Sequence, residues 1–420
     1  MKVFHPKDFS VLIGIDWADR KHDICEYSHA TKSNTFSIIS SKPDAIHDWA
    51  NDLKKRFPNQ QIAVSCELKK GPLIYALSKY DHLVLFPINP STVAKYRKAF
   101  ALSGAKDDPT DAQIQSELLV RHMDKLTPLE PESAELRILS QLVENRRKLV
   151  QDRVRLSNRL LATLKNYYPQ IIDWFKEKDT HLFLAFIHKW PNLASVQTAR
   201  ESTLTAFFHA HRVRRNDLIK QRIEAIKTAQ PLTEDEGFIM PNQLLVLMLT
   251  KQLEVLMDAI NEHDNEIKTR YAACTDNDLF SSLPGAGPVF APRLLVAFGE
   301  NRERYKSANE IQRYAGIAPV LERSGKKSWT HWRYSCPTFL RQSFVEWAGE
   351  TVRYSFWAKA YYEQEKQKGK PHQTIIRCLA FKWIRIIFRC WKNRTKYDES
   401  TYLKALKKRG SPLLEYAVSG

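Results

Sequence analysis

Residues 11–15 (VLIGI) form a short apolar run that ends on Asp16. Residues 22–28 and 34–39 mix polar and apolar positions, as paired antiparallel strands do. Residues 43–57 carry Ile46, Trp49 and Leu53 at spacings of three and four, which predicts a helix. Residues 62–66 (IAVSC), ending on Glu67, and 83–88 (LVLFPI) are two further buried strands.

Three consecutive strands, a helix, then strands alternating with helices is the order of a ribonuclease-H-like sheet, although other α/β folds begin the same way. From Pro131 the character changes to long, charged helical sequence. Leu136, Leu139, Val143, Val150, Val154, Leu160, Leu161 and Leu164 make an irregular apolar stripe between arginines and lysines. A second stretch, residues 242–271, repeats this with Leu245, Leu249, Leu253, Leu256, Ile260 and Ile267. The pair reads either as an antiparallel stalk with a dimer seam or as two ordinary packed helices. Between them, residues 169–240 read as a loop-rich inserted subdomain holding Trp174, Phe183, Trp190, Phe207 and Phe208. The expected architecture is α/β plus α: an α/β domain over 1–128, a helical coiled-coil region over 129–278, a mostly helical domain over 279–400 and a tail over 401–420.

Lys plus Arg outnumber Asp plus Glu by 65 − 47, a net charge of +18. That excess points to a polyanionic partner, nucleic acid or an acidic membrane surface. No window approaches the roughly 18 unbroken apolar residues of a membrane span, and MKVFHPKDFS lacks the apolar core of a signal peptide. The six cysteines lie far apart without a CxxC pair, which argues against a zinc site or a disulfide scaffold and suits a reducing cytosol.

Asp16 and Glu67 both end strands, and neighbouring strand ends converge at one sheet edge where active sites are commonly built. A third acidic cluster is Lys106-Asp107-Asp108-Pro109-Thr110-Asp111. A helix starting at Pro109 would take Asp108 as its N-cap, with Asp111 three residues on and pointing the same way. Four such carboxylates suit hard Mg²⁺ or Mn²⁺ ions, which prefer oxygen ligands, and two ions about 4 Å apart stabilise both the attacking and leaving oxygens of a phosphodiester. A capping box explains Asp108 and Asp111 without any metal. Asp19, Asp23 and Asp107 read as surface residues.

GIDWAD at 14–19, CELKKGPL at 66–73 and AKDDPTDA at 105–112 resemble the metal-binding motifs of the DEDD transposases. The stretch LPGAGPVFAPRLLVAFGENRERYKSANEIQRYAGIAPVLERSGKKS at 283–328 is similar to their C-terminal transposase domain. These are insertion-sequence recombinases with a RuvC-like N-terminal domain, a coiled-coil middle and a serine-bearing C-terminal domain. The resemblance implies that Asp16, Glu67, Asp108 and Asp111 hold Mg²⁺ (or Mn²⁺) and that Ser324, in Arg323-Ser324-Gly325-Lys326, is the nucleophile. It also implies DNA partners at the element junction and target, a structured bridge (guide) RNA encoded by the element, a prokaryotic cytoplasmic setting, and a homo-oligomer with composite active sites. It departs from the family at one point: Leu68-Lys69-Lys70-Gly71 follows the glutamate where relatives often carry Thr-Gly.

A serine hydroxyl is a poor nucleophile until its proton is removed or a metal polarises it. By itself Ser-Gly before Lys-Lys is a turn, and Ser328, Ser335 and Ser343 compete with Ser324 as candidates. Gly285 and Gly287, ahead of an apolar helix, resemble a helix-hairpin-helix turn that brings backbone N–H groups to a phosphate. Lys326, Lys327 and Arg333 lie among Trp329, His331 and Trp332, as on a strand-binding surface. Arg146, Arg147 and Arg153, with Lys148, Arg155 and Arg159, form a basic helical face suited to RNA. In residues 381–394, Trp383, Ile386, Ile387 and Cys390 mark the core face, and Lys382, Arg385 and Arg389 the face for backbone contact. Two rival functions are a structure-specific nuclease that uses water as nucleophile and a non-catalytic nucleic-acid-binding protein.

Overall fold

A computed structural model describes residues 4–67, 71–100 and 108–414, and of Asp108 the backbone alone. Leu68 to Lys70, Lys106 and Asp107 lie outside the described residues. The chain divides into two compact units, Met1–Pro131 and Glu132–Gly420.

In the first unit, β1 (Val11–Trp17), β2 (Lys21–Ser28), β3 (Ser33–Ser40), β4 (Ile62–Glu67) and β5 (Leu83–Ile88) form one mixed sheet in the order β3-β2-β1-β4-β5. The β1–β2 and β2–β3 pairs are antiparallel, and β1–β4 and β4–β5 are parallel. Helices cover both faces of β1, so residues 11–15 are all buried, and the run shows no polar alternation. On one face α1 (Pro43–Arg56) and α2 (Pro72–Leu77) bring Ile46, Trp49, Leu53, Leu73 and Leu77 against Ile13, Ile15 and Ile24. α3 (Pro90–Phe100) packs on α4 (Asp108–His122). α4 in turn covers the other face, where Leu119 meets Leu12, Ala63 and Phe86. The α4 helix begins at Asp108 rather than Pro109, within the one-residue spread of helix ends. One expectation is overturned: Asp23 is not a surface residue but 3% exposed. It lies opposite Asp16 across the β1–β2 pair, on the face that α4 covers, and Lys21 neutralises it at 3.2 Å.

The second unit is almost wholly helical. α5 (Ala134–Tyr167) is followed by five short helices: α6 (Gln170–Trp174), α7 (His181–Lys189), α8 (Leu193–Gln197), α9 (Glu201–Ala210) and α10 (Asn216–Thr228). The loop-rich middle expected from sequence is therefore helical. α6 and α8, at five residues each, are too short to show a period, whereas α10 carries one in Ile219, Ile223 and Ile226; a shared aromatic core of Tyr168, Trp174, Phe183, Phe186 and Phe208 orders the group. α11 (Glu236–Ala272) starts six residues before the expected Asn242 and runs through Pro241. Asp235 Oδ1 caps it by accepting from the Gly237 N–H at 2.9 Å. The start of α5 packs with the end of α11 (Leu139 and Val143 with Ile267). The end of α5 packs with the start of α11 (Leu160 and Leu164 with Val246 and Leu249). The two long helices are thus antiparallel.

The remainder comprises α12 (Asn277–Ser281), α13 (Gly287–Phe298), α14 (Ala308–Tyr314), a hairpin of β6 (Val320–Ser324) and β7 (Lys327–His331), then α15 (Thr338–Tyr354), α16 (Phe356–Gln367), α17 (His372–Asn393) and α18 (Glu399–Lys408). Four indoles (Trp347, Trp357, Trp383 and Trp391) are fully buried in its core. The buried stripe of α17 is Trp383, Ile384, Ile387 and Trp391, with Ile386 and Cys390 only partly covered. The apolar face is therefore turned slightly from the expected one, because Trp391 donates from Nε1 to the Gly299 carbonyl at 2.8 Å and anchors the helix there. Among the described residues no helix is long and apolar enough to cross a membrane, and all six cysteines are free.

Candidate active site

Gly14 fixes which way the acids of the first unit face. A Cβ on Gly14 would lie 2.0 Å from the Ala112 carbonyl oxygen and 2.5 Å from the Ser116 nitrogen, so α4 rests directly on this residue. Side chains alternate along a strand, hence Asp16, two residues on, faces the α4 side as well. In β4 the Ser65 hydroxyl donates to Gln115 of α4 at 3.3 Å, so Glu67 faces that side too. The parallel register pairs Ile15 with Cys66, and one step further sets Asp16 beside Glu67 at two adjacent strand ends.

Asp111 lies in the first turn of α4 and is 3% exposed. Arg97 of α3 donates to its Oδ1 through Nε at 2.7 Å and also through Nη2. Asp108 opens the same helix three residues earlier, and its side chain lies outside the described residues. Among the described residues no three His, Cys, Asp or Glu side chains are gathered closely enough to hold a metal ion. The donors available are nevertheless all carboxylate oxygens on one side of one sheet, the set a hard divalent cation takes. Both Arg97 contacts reach Oδ1 of Asp111. Burial pushes the thiol of Cys25, opposite Gly14, up to about 12.

Ser324 belongs to the second unit. It is the last residue of β6 and pairs with Lys327, so Gly325 and Lys326 alone make the turn. Gly325 has φ +56°, the positive value that a two-residue hairpin turn asks of its first central residue. Every residue from Leu321 to Trp332 is exposed, including Trp329 at 40% and Trp332 at 50%. Glu322 accepts from Trp329 Nε1 at 2.9 Å and lies 3.2 Å from His331. Arg377 sits 3.9 Å over the Trp332 ring. Lys326 and Lys327 flank the serine, and Arg333 follows on the β7 side. Of the competing serines, Ser343 is fully buried and donates to the Phe339 carbonyl at 2.7 Å.

Gly285 and Gly287 lead into α13 with φ of +66° and +48°. On α5, Arg146 is paired with Asp264, and Arg147 with Glu144 at 2.8 Å and Gln342 at 3.1 Å. Arg153 lies 3.6 Å from Asp179. The basic face is thus partly compensated by its own acids. Sequence reasoning gave no role to Gly14, Arg97 or Asp23. A lone glycine inside an apolar strand was a usable signal of close backbone approach, whereas Arg97 sits in a stretch that reads as an ordinary charged helix.

Residues 13–169 match a DEDD family model described as "Transposase", and residues 277–363 match one described as "Transposase IS116/IS110/IS902 family". The mini-circle putative transposase for IS117 of Streptomyces coelicolor is 26% identical over 427 residues, 97% of this chain and 99% of that protein. The insertion element IS116 uncharacterized 44.8 kDa protein of Streptomyces clavuligerus is 25% identical over 71% of this chain and 73% of its own length. The insertion element IS110 uncharacterized 43.6 kDa protein of Streptomyces coelicolor is 22% identical over 94% of this chain and 97% of its own. Two matched segments of one transposase architecture, in order along the chain and backed by relatives aligned nearly end to end, place this protein in the DEDD insertion-sequence transposases of the IS116/IS110/IS902 family, enzymes that recombine DNA.

Proposed function

We propose that this transposase cuts and rejoins DNA through Ser324, with Asp16, Glu67, Asp108 and Asp111 as the acids that hold Mg²⁺ or Mn²⁺. The observation that carries this reading is the presentation of Ser324: an exposed hydroxyl beside the turn of a basic, aromatic hairpin, inside the segment that matches the transposase family. In the first unit, the sheet order β3-β2-β1-β4-β5, with Asp16 and Glu67 at adjacent strand ends under α4, supports a ribonuclease-H-like, RuvC-like nuclease domain over about residues 1–128.

The Ser324 oxygen forms a bond to phosphorus, the bond from phosphorus to the departing deoxyribose oxygen breaks, the serine hydroxyl proton passes to solvent, and the departing oxygen takes up a proton from solvent to leave as a hydroxyl. The resulting phosphoserine keeps the phosphodiester energy for rejoining. A divalent ion, when held by Asp16, Glu67, Asp108 and Asp111, would supply Lewis-acid charge neutralisation for the phosphoryl chemistry. Lys326 and Lys327 beside the serine position the backbone, and Trp329 and Trp332 offer faces on which unpaired bases stack. A structured bridge RNA guides the complex, for which the net charge of +18 is the support on this chain. The protein acts in the bacterial cytoplasm as a homo-oligomer in which acids and serine come from different protomers. In this scheme residues 129–278 form the helical connector, with residues 169–240 as its insert. Residues 279–400 form the serine-bearing domain, and residues 401–420 are a tail.

Covalent trapping tests this. The protein, with any co-purifying RNA, is mixed with labelled DNA spanning the element junction and target in Mg²⁺, then denatured. An adduct that disappears in Ser324→Ala and in Asp108→Asn is the expected result. Cleavage without an adduct, unaffected by Ser324→Ala, would replace the serine scheme with a hydrolytic nuclease. Binding that ignores both Mg²⁺ and Asp16→Asn, with no cleavage, would leave a non-catalytic nucleic-acid-binding protein.

A further inference from the structure

Where α5, α13 and α15 meet in the second unit there is a cavity of about 210 Å³. Three guanidinium groups line it, those of Arg146, Arg147 and Arg293, together with the ring of Phe290, Gln342 and the single carboxylate of Glu346. Arg293 is 7% exposed. Its Nε donates to Ser343 at 3.1 Å and its Nη1 to Glu346 at 2.8 Å, but its Nη2 is buried without a hydrogen-bond partner. Burial lowers the affinity of the Arg293 guanidinium for its proton; Glu346 opposes this, and repulsion from Arg146 and Arg147 adds to it. The three cations are therefore close enough to feel one another. An unsatisfied buried donor costs more than an ordinary hydrogen bond contributes; Arg146 and Arg147 are already paired with Asp264 and Glu144, so it is the spare donor of Arg293 that calls for an anion. Pro288 and Val289 of the α13 first turn also line the cavity, which adds the positive end of a helix to the same space.

We propose that this cavity is a phosphate-binding site that seats one phosphodiester of a nucleic-acid strand, with Arg293 as its central donor and Arg146 and Arg147 beside it. The guanidinium fork matches phosphate oxygens in pairs, and the Phe290 ring lies 5.2 Å from the Arg293 guanidinium and helps to hold it in place. The cavity exceeds the roughly 30 Å³ share of one water several times over, so the site is more than a slot for a buried solvent molecule. The proposal rests on the nucleic-acid reading above and adds to it a residue, Arg293, that nothing in the sequence marked.

The full chain is titrated with fluorescently labelled single-stranded DNA and with RNA of the same sequence, from about 0.05 to 0.2 M salt. Arg293→Gln is expected to weaken binding about tenfold, and to reduce the slope of log affinity against log salt by about 0.7, one phosphate on a single strand. Glu346→Gln frees Arg293 of its competing carboxylate and is expected to tighten binding. Loss confined to the DNA titration assigns the site to DNA, and loss confined to RNA assigns it to RNA. A folded Arg293→Gln protein that binds both strands with unchanged affinity and slope overturns the proposal. If Arg293→Gln does not fold, Glu346→Gln decides, since unchanged or weaker binding there overturns it too. Wild-type protein that binds neither strand defeats the nucleic-acid reading itself. Weakening by Lys326→Ala with Arg293→Gln unaffected leaves that reading standing and removes only the pocket.

Discussion

Asp16, one residue before the end of β1, and Glu67, the last residue of β4, lie on the two most enclosed strands of the first unit, and Asp111 is buried under an arginine fork. Ser324 ends a strand in which all but Val320 are exposed. In the scheme proposed above, the difference follows from what each group would do. Carboxylates that gather a cation have to be held at fixed separations against their mutual repulsion, and that takes a rigid scaffold and a neutralising partner. A nucleophile that attacks a phosphodiester in a bulky strand has to stand clear of its own protein. A two-residue turn with a left-handed glycine provides that on very few residues.

The contrast predicts that activity and stability separate. Ser324→Ala should lower strand transfer on the order of a thousandfold or more, while leaving the melting temperature unchanged, because an exposed hydroxyl at a turn supports no packing. Asp111→Ala should abolish activity as well and in addition destabilise the fold. It strands Arg97, whose side chain is 17% exposed. The expected cost is about 2–3 kcal/mol, somewhat under the ~3–5 kcal/mol of a fully buried pair. Thermal melts of both variants check this. A Ser324→Ala protein that unfolds early, or an Asp111→Ala protein as stable as wild type, would erase the distinction between the two regions.

Gly14→Ala probes the scaffold itself. The added methyl meets backbone atoms of Ala112 and Ser116 rather than a flexible side-chain end, so α4 must move. Overpacking of this kind costs about 1–3 kcal/mol, and the shift carries Asp108 and Asp111 away from Asp16 and Glu67. Strand transfer should fall more than stability does, and raised Mg²⁺ should recover part of it. Unchanged activity with the same melting temperature would mean that α4 does not rest on Gly14.

The strands of the sheet and the two long helices were legible because each carries its own period or a continuous apolar run. Residues 83–88 are bounded as expected, and the predicted helix over 43–57 ends one residue early. The shortest helices between α5 and α11 were not legible, since a five-residue segment such as Gln170–Trp174 shows barely one turn and takes its shape from Phe186 and Phe208 around it, although α10 does carry a period in Ile219, Ile223 and Ile226. At the candidate site, Asp16 and Glu67 could be singled out as strand-end carboxylates. Arg97 could not, because its role depends on α3 packing on α4, a tertiary event with no local signature. Asp23 was misjudged for the same reason: polar residues at the start of a strand usually face solvent, and only the cover of α4 buries this one.

The smallest expected effect concerns His22, the neighbour of Asp23. It is 1% exposed, with Nδ1 buried and unpartnered, and its ring lies beside Trp17 at 6.4 Å between centroids. Burial holds its imidazole below the ordinary value of 6.5, and the Lys21 backbone and Asp23 only partly counter this. The folded chain therefore binds the proton less readily than the unfolded chain. Above the unfolded value both forms are neutral and stability is at its full level. As pH falls below about 6.5 the unfolded chain is protonated first, so stability declines until pH passes the lowered folded value. His22→Phe keeps a ring beside Trp17 and removes the titration. Its melting temperature should decline less than that of wild type over this acid window, whereas parallel declines would place the acid sensitivity of the unit elsewhere, in its paired carboxylates.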